Sequence, residues 1–195
     1  AWAYVNMLNS NLNAGVDSNV RNALVAQDSI SDPFYMLLMG VDQNEDREAR
    51  NEYAGMYRTD SIILARIDSK NKTATMISIP RDTQVEIPGH GLQKINAAYT
   101  FGGPSQAIST VSQLAGVPIS HFATIDMDGM SSVVEALGGV EVNVPYTIDD
   151  EYTGHLDAGL QVLDGDQALI FSRSRHAYDD IGDGDEYRAA NQRVL

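Results

Sequence analysis

Arg58-Thr59-Asp60-Ser61-Ile62-Ile63-Leu64-Ala65-Arg66-Ile67-Asp68, then Ser69-Lys70-Asn71-Lys72, then Thr73-Ala74-Thr75-Met76-Ile77-Ser78-Ile79-Pro80-Arg81-Asp82-Thr83, is the stretch whose reading decides the fold. Its two β-rich runs, Asp60 to Asp68 and Thr73 to Pro80, flank a short polar segment and read as a hairpin. Each outer end carries an Arg beside an Asp. Antiparallel pairing brings both ends to the same edge of the sheet, so Arg58, Asp60, Arg81 and Asp82 are expected to meet there.

Upstream, Phe34 to Gly40 is a short continuous apolar run leading into Val41-Asp42. It reads as a buried strand with Asp42 at its carboxyl end. Gln43 to Tyr57 is a charged loop long enough to be functional. Residues 1–31 are polar, with Leu8, Leu12, Val16, Val20 and Leu24 spaced by four, and are expected to form a peripheral helical appendage to a domain spanning 32–195.

Downstream, Gln93 to Phe101 reads as helix, and Gly102-Gly103-Pro104-Ser105 restarts a second helix with Pro in its first turn. Phe122 to Asp126 reads as a strand. Asp128 is expected to cap a helix that runs to Leu137 and is stopped by Gly138-Gly139. Val140 to Pro145 alternates as a half-exposed strand. Thr147 to Ala158 reads as an acidic surface loop, Asp164 to Ser172 as a helix feeding Arg173 and Arg175, and Asp185 to Leu195 as a last helix.

With 195 residues the chain suits one α/β domain with a full core. A net charge of −14 argues against nucleic acid as a partner, because binding a phosphate backbone needs a broad basic surface. There is no cysteine, which excludes disulfides and thiolate metal sites. No run approaches the length of a membrane span.

Against that acidic background, six of the thirteen cations, Arg58, Arg81, Lys94, Arg173, Arg175 and Arg188, sit in short segments rich in Asp, Gly or Pro. Arg forks clamp phosphate oxygens while carboxylates hold a divalent ion. Asp42 and Asp60 are therefore candidate ligands for one such metal, shared with substrate phosphates. Each feature has a plain alternative: Arg58 and Arg81 as surface ion pairs, Asp42 as a turn residue, Lys94 as a solvated cation. Asp179 to Glu186 does not fit an EF-hand, since Ile181 falls at a ligand position. His90, His121, His155 and His176 lack metal spacing, and no P-loop, dinucleotide fingerprint or nucleophile elbow is present.

Nine ordered segments resemble the LytR-CpsA-Psr cell-wall ligases: Gly40-Val41-Asp42, Arg58-Thr59-Asp60-Ser61, Ile79-Pro80-Arg81-Asp82-Thr83, Lys94-Ile95-Asn96-Ala97-Ala98-Tyr99, Gly102-Gly103, Leu137-Gly138-Gly139-Val140, Leu163-Asp164-Gly165, Ser172-Arg173-Ser174-Arg175 and Asp185-Glu186-Tyr187-Arg188. The resemblance runs from Phe34 to Leu195, leaves 1–31 outside, and departs from the family pattern at Asn191-Gln192. It implies a three-layer α/β/α sandwich around a central mixed β-sheet, with an apolar tunnel for a polyprenyl lipid between the sheet and the helices around Ile108 and Val133. The implied enzyme sits on the extracellular face of a bacterial membrane, anchored by a single N-terminal helix. It moves a phosphorylated glycopolymer from polyprenyl pyrophosphate to peptidoglycan with Mg2+.

The same resemblance implies Asp42 and Asp60 as magnesium ligands, with Asp60 also the base for the attacking hydroxyl. It implies Arg58, Arg81, Lys94, Arg173, Arg175 and Arg188 as the pyrophosphate clamp, with Arg58 and Arg81 closest to catalysis. Two other readings use the same residues: a polyprenyl-pyrophosphate hydrolase, and a lipid-binding sensor without turnover.

Overall fold

The computed structural model describes residues 16–27, 32–41, 57–174 and 177, which fall into two compact units, 1–124 and 125–195. In the first unit β1 (Phe34–Val41), β2 (Thr59–Asp68), β3 (Thr73–Ser78) and β6 (His121–Ile125) form a sheet in the order β3-β2-β1-β6. The expected hairpin is β2–β3, antiparallel with Asp68 opposite Thr73. Asp68 ties off its turn by accepting from the Asn71 backbone N–H and from Asn71 Nδ2, both at 3.0 Å. These bonds, the backbone one foremost, pull the Asp68 carboxyl below its usual range.

A second hairpin, β4 (Gln84–Ile87) with β5 (Gly91–Lys94), follows directly. The expectation of helix from Gln93 is corrected here, because Gln93 and Lys94 pair with Val85 and Gln84 as strand. Helix α2 (Ala97–Ala115) begins only after this hairpin closes. It breaks at Gly102 and at Gly103, whose φ of 61° and ψ of −151° suit glycine alone, and resumes at Pro104 as the sequence predicts.

Leu37 and Met39 of β1, Ile62 and Leu64 of β2, Val85 and Ile87 of β4, and Ile108 and Val111 of α2 make the core of this unit. Full burial of each such side chain stabilises by roughly 1.5–3 kcal/mol. Helix α1 (Ser18–Ala23), capped by Asp17, adds Val20 to this core, and Val25 N–H donates to Ile119 C=O at 2.9 Å. The described part of the expected appendage is thus packed rather than peripheral. Leu8 and Leu12 lie outside the described residues.

The second unit holds α3 (Met127–Leu137), the antiparallel pair β7 (Val140–Val144) and β10 (Gly159–Leu163), the small hairpin β8 (Ile148–Asp150) with β9 (Gly154–Leu156), and α4 (Gly165–Arg173). Asp126 rather than Asp128 caps α3, accepting from Gly129 N–H at 2.7 Å. Where the sequence suggested a surface loop, Ile148, Asp150 and Leu156 are buried, and Ile148 and Leu156 join a core with Val142, Val144, Leu163 and Phe171. Asp164 and Gln167 form a reciprocal capping box that starts α4 sharply.

Candidate active site

The site's first element is a β-bulge. Gly40 pairs with Ser61 and Val41 with Thr59, so Asp60 is the extra residue on β2. Such insertions break the inward-outward alternation and re-aim a side chain. Accordingly Thr59 is 1 % exposed and Ile62 is buried, while Asp60 and Ser61 both turn outward. Gly40 permits the close approach: a Cβ there would stand 3.1 Å from Ser61 Cβ.

The β2–β3 register then supplies the partner. Ile63 faces Ser78, and Ile79 N–H donates to Ile62 C=O at 2.8 Å, so the same register carried outward sets Asp60 opposite Arg81. Arg81 Nη1 donates to Asp60 Oδ1 at 2.5 Å. Its backbone is fixed as well, because Asn96 N–H donates to Arg81 C=O at 3.2 Å. Thr83 closes the intervening turn with its N–H and hydroxyl, both donating to Pro80 C=O.

From Arg81 the charges alternate onward. Arg81 Nε lies 3.8 Å from Asp82 Oδ2, and Lys94 Nζ donates to Asp82 Oδ1 at 2.5 Å. That Lys94 bond is the main reason the Asp82 carboxyl titrates below its usual range, against a smaller opposing effect of burial. The row Asp60–Arg81–Asp82–Lys94 is open to solvent, at 39, 43, 56 and 65 % side-chain exposure in that order. As structural ion pairs at this exposure they are screened by solvent and hold the fold only weakly. The two cations can therefore exchange a carboxylate for an incoming phosphate at little cost to the fold.

Thr59 was not singled out by sequence. Its Oγ1 is the one buried side-chain polar atom without a hydrogen-bond partner among the described residues. An orphaned buried hydroxyl costs about 1–3 kcal/mol. The Asp60 carboxylate next to it in the chain turns outward instead, and is a hard oxygen donor of the kind magnesium takes. The fit is one of donor chemistry. Among the described residues no group of three or more His, Cys, Asp or Glu could hold a metal ion.

Of the remaining predicted residues, Arg58 directly precedes β2 and is exposed. Arg173 ends α4 in the second unit and is exposed; there its charge also complements the helix dipole. The chain leaves α4 at a fixed point, because Ser174 Oγ donates to Ile170 C=O at 2.7 Å and lies 2.6 Å from Thr153 Oγ1. Asp42, Arg175 and Arg188 lie outside the described residues. Of the two residues named for the lipid tunnel, Ile108 is fully buried in the first unit and Val133 is half exposed in the second.

The chain matches the model of the LytR_cpsA_psr family over residues 3–195, which takes in the stretch that the sequence motifs left outside. A polyisoprenyl-teichoic acid–peptidoglycan teichoic acid transferase, TagU of Enterococcus faecalis, is 41 % identical over 166 residues, covering 84 % of this chain and 52 % of its own length. The crystal structure of Bacillus subtilis TagV superposes with a TM-score of 0.68 at 32 % identity, covering 86 % of this chain and 63 % of that one. The family protein YwtF (TagT) with bound octaprenyl pyrophosphate lipid superposes with a TM-score of 0.62 at 27 % identity, covering 88 % and 67 %. These likenesses carry the α/β sandwich class. The chain spans about half the length of the curated TagU that it matches. It is a member of the LytR_cpsA_psr family.

Proposed function

We propose that this chain carries the catalytic site of a phosphotransferase that moves a phosphate-linked glycopolymer from a polyprenyl-pyrophosphate carrier onto peptidoglycan. The observation that carries the reading is Asp60, lifted out of its strand by a bulge and held against Arg81 at the head of a row of exchangeable charges. Support comes from a relative named as such a transferase and from a related structure with bound octaprenyl pyrophosphate.

In this reading the pyrophosphate draws Arg81 and Lys94 away from Asp60 and Asp82. Arg81 grips two phosphate oxygens with its fork, and Lys94 adds a point charge. Asp60, released from Arg81, becomes the proton acceptor. An acceptor sugar hydroxyl attacks the phosphorus bearing the glycan and gives its proton to Asp60. The bond from that phosphorus to the bridging oxygen breaks, and polyprenyl monophosphate leaves with the bonding electrons. Positioning and charge neutralisation dominate such chemistry, so no covalent protein intermediate is required. Asp60 and Asp42, with substrate oxygens, would hold magnesium, which when bound neutralises further phosphate charge.

Arg58, Arg173, Arg175 and Arg188 complete the proposed clamp, and an apolar channel for the polyprenyl tail completes the substrate site. Anchoring at the outer face of the membrane belongs to the same proposal. Among the described residues no helix is long and apolar enough to cross a membrane.

The test is incubation with a lipid-linked glycan pyrophosphate, with and without magnesium and with and without peptidoglycan. Glycan phosphate on peptidoglycan, with one polyprenyl monophosphate released per transfer, supports the reading. Glycan released equally without acceptor identifies a hydrolase, and no turnover under any condition identifies a binding protein.

A further inference from the structure

Leading away from Lys94, the β4–β5 hairpin ends in a built aromatic surface that the phosphate chemistry leaves unused. His90, in the turn, stacks on Phe101 of α2 with ring centroids 4.1 Å apart and planes within 2° of parallel. Both residues are exposed, Phe101 at 44 %. The arrangement is held from two sides: Gln106 Nε2 donates to Pro88 C=O at 2.9 Å, and His90 N–H donates to Ile87 C=O at 2.9 Å. The break at Gly102-Gly103 ends the first segment of α2 directly after Phe101. Gly89 and Gly91 flank His90 with φ of 80° and 70°, and a Cβ at either would meet nothing within 4 Å. Among the described residues the tip is therefore uncovered.

The exposed face between tip and clamp carries Gln84 opposite Lys94 and Glu86 opposite Leu92. An exposed aromatic stack at the tip of a hairpin whose strands also present an amide and a carboxylate suits a ring that has an apolar C–H face and a hydroxylated edge, which is the chemistry of a pyranose. From Lys94 to Gly91 the strand spans about 10 Å at its usual rise, so such a ring would lie within a few sugar units of the phosphate site. Charge decides which glycan. The chain carries −14 overall and Glu86 lies on this face, so a phosphate-rich polymer is disfavoured and an uncharged sugar chain favoured.

We propose that His90 and Phe101 form a docking platform for the neutral glycan strand of the acceptor, steering its hydroxyl toward Asp60. This rests on the transferase reading for its purpose, though not for its detection. The experiment titrates the 195-residue chain with an uncharged N-acetylglucosamine oligomer, followed by NMR, alongside a soluble poly(glycerol phosphate) as the anionic probe. His90→Ala and Phe101→Leu should each weaken oligomer binding about three- to tenfold, the range for one aromatic contact. Affinity for polyprenyl pyrophosphate should stay unchanged. In the transfer assay both variants should raise the half-saturating acceptor concentration while leaving kcat in place.

No oligomer binding by the wild-type chain, or binding indifferent to both substitutions, overturns the platform; so does a larger loss for the anionic probe than for the oligomer. A wild-type chain that binds pyrophosphate but ignores the oligomer refutes the platform alone. One that binds the oligomer through His90 but not the lipid keeps the platform and refutes the transferase reading.

Discussion

Asp60→Asn separates a surface ion pair from a catalytic carboxylate, because the two roles predict effects of different size on different observables. The substitution preserves shape and removes the charge. Asp60 and Arg81 are 39 and 43 % exposed, so solvent screens their pairing and its loss costs at most about 1 kcal/mol. For a chain of this size that lowers Tm by no more than about 4 °C. If Asp60 takes the acceptor's proton, turnover should instead fall by about 10²–10⁴, the usual worth of general-base catalysis. The lipid's apolar tail is untouched, so polyprenyl-pyrophosphate affinity should stay close to wild type. Thermal unfolding, lipid titration and the glycan-transfer rate on one preparation give all three numbers. Transfer within a few fold of wild type, with magnesium present, would refute the assignment.

Other outcomes follow from local geometry. Gly40→Ala pushes a Cβ to 3.1 Å from Ser61 Cβ at the bulge and should cost about 1–3 kcal/mol by thermal unfolding, with transfer falling as Asp60 is displaced. Gly139→Ala should cost more, since a φ of 98° strains alanine and its Cβ would lie 2.6 Å from Val162 Cγ1 and 2.9 Å from Leu163 C=O; reduced expression or a lowered unfolding midpoint is the readout. The Asp68 carboxyl is depressed below 3.8 in the fold, so its contribution is present above that pH and is lost as pH falls through the folded value. Urea midpoints should therefore drop less between about pH 5 and pH 3 for Asp68→Asn than for wild type.

The hairpin that brings Asp60 to Arg81 was legible because period-two patterning and a short polar turn fix an antiparallel register, and register alone decides who faces whom. The bulge was not. One extra residue leaves no mark in composition, and only Gly40 beside Ser61 hints at the close approach. Lys94 stood out in the sequence as a cation beside a candidate site but was assigned to a helix, because a four-residue strand is too short to show its alternation before the Ala97 helix begins. The same brevity hid β8 and β9, whose buried Asp150 accepts the backbone N–H groups of Tyr152 and Thr153 and so reads as an acidic loop residue. Thr59 escaped notice because a buried threonine is ordinary; its orphaned hydroxyl exists only in three dimensions.

The central claim, that Arg81 and its neighbours grip a pyrophosphate, is tested most directly by comparing affinities for polyprenyl pyrophosphate and polyprenyl monophosphate of equal chain length. Because the tails are identical, the ratio isolates the head group. The wild-type chain should prefer the pyrophosphate by about tenfold or more, and Arg81→Ala should erase most of that preference while leaving monophosphate binding nearly intact, as expected for loss of one charge-assisted fork. Arg81→Lys should recover it only in part. An Arg81→Ala chain that still favours the pyrophosphate as strongly as wild type would contradict the account.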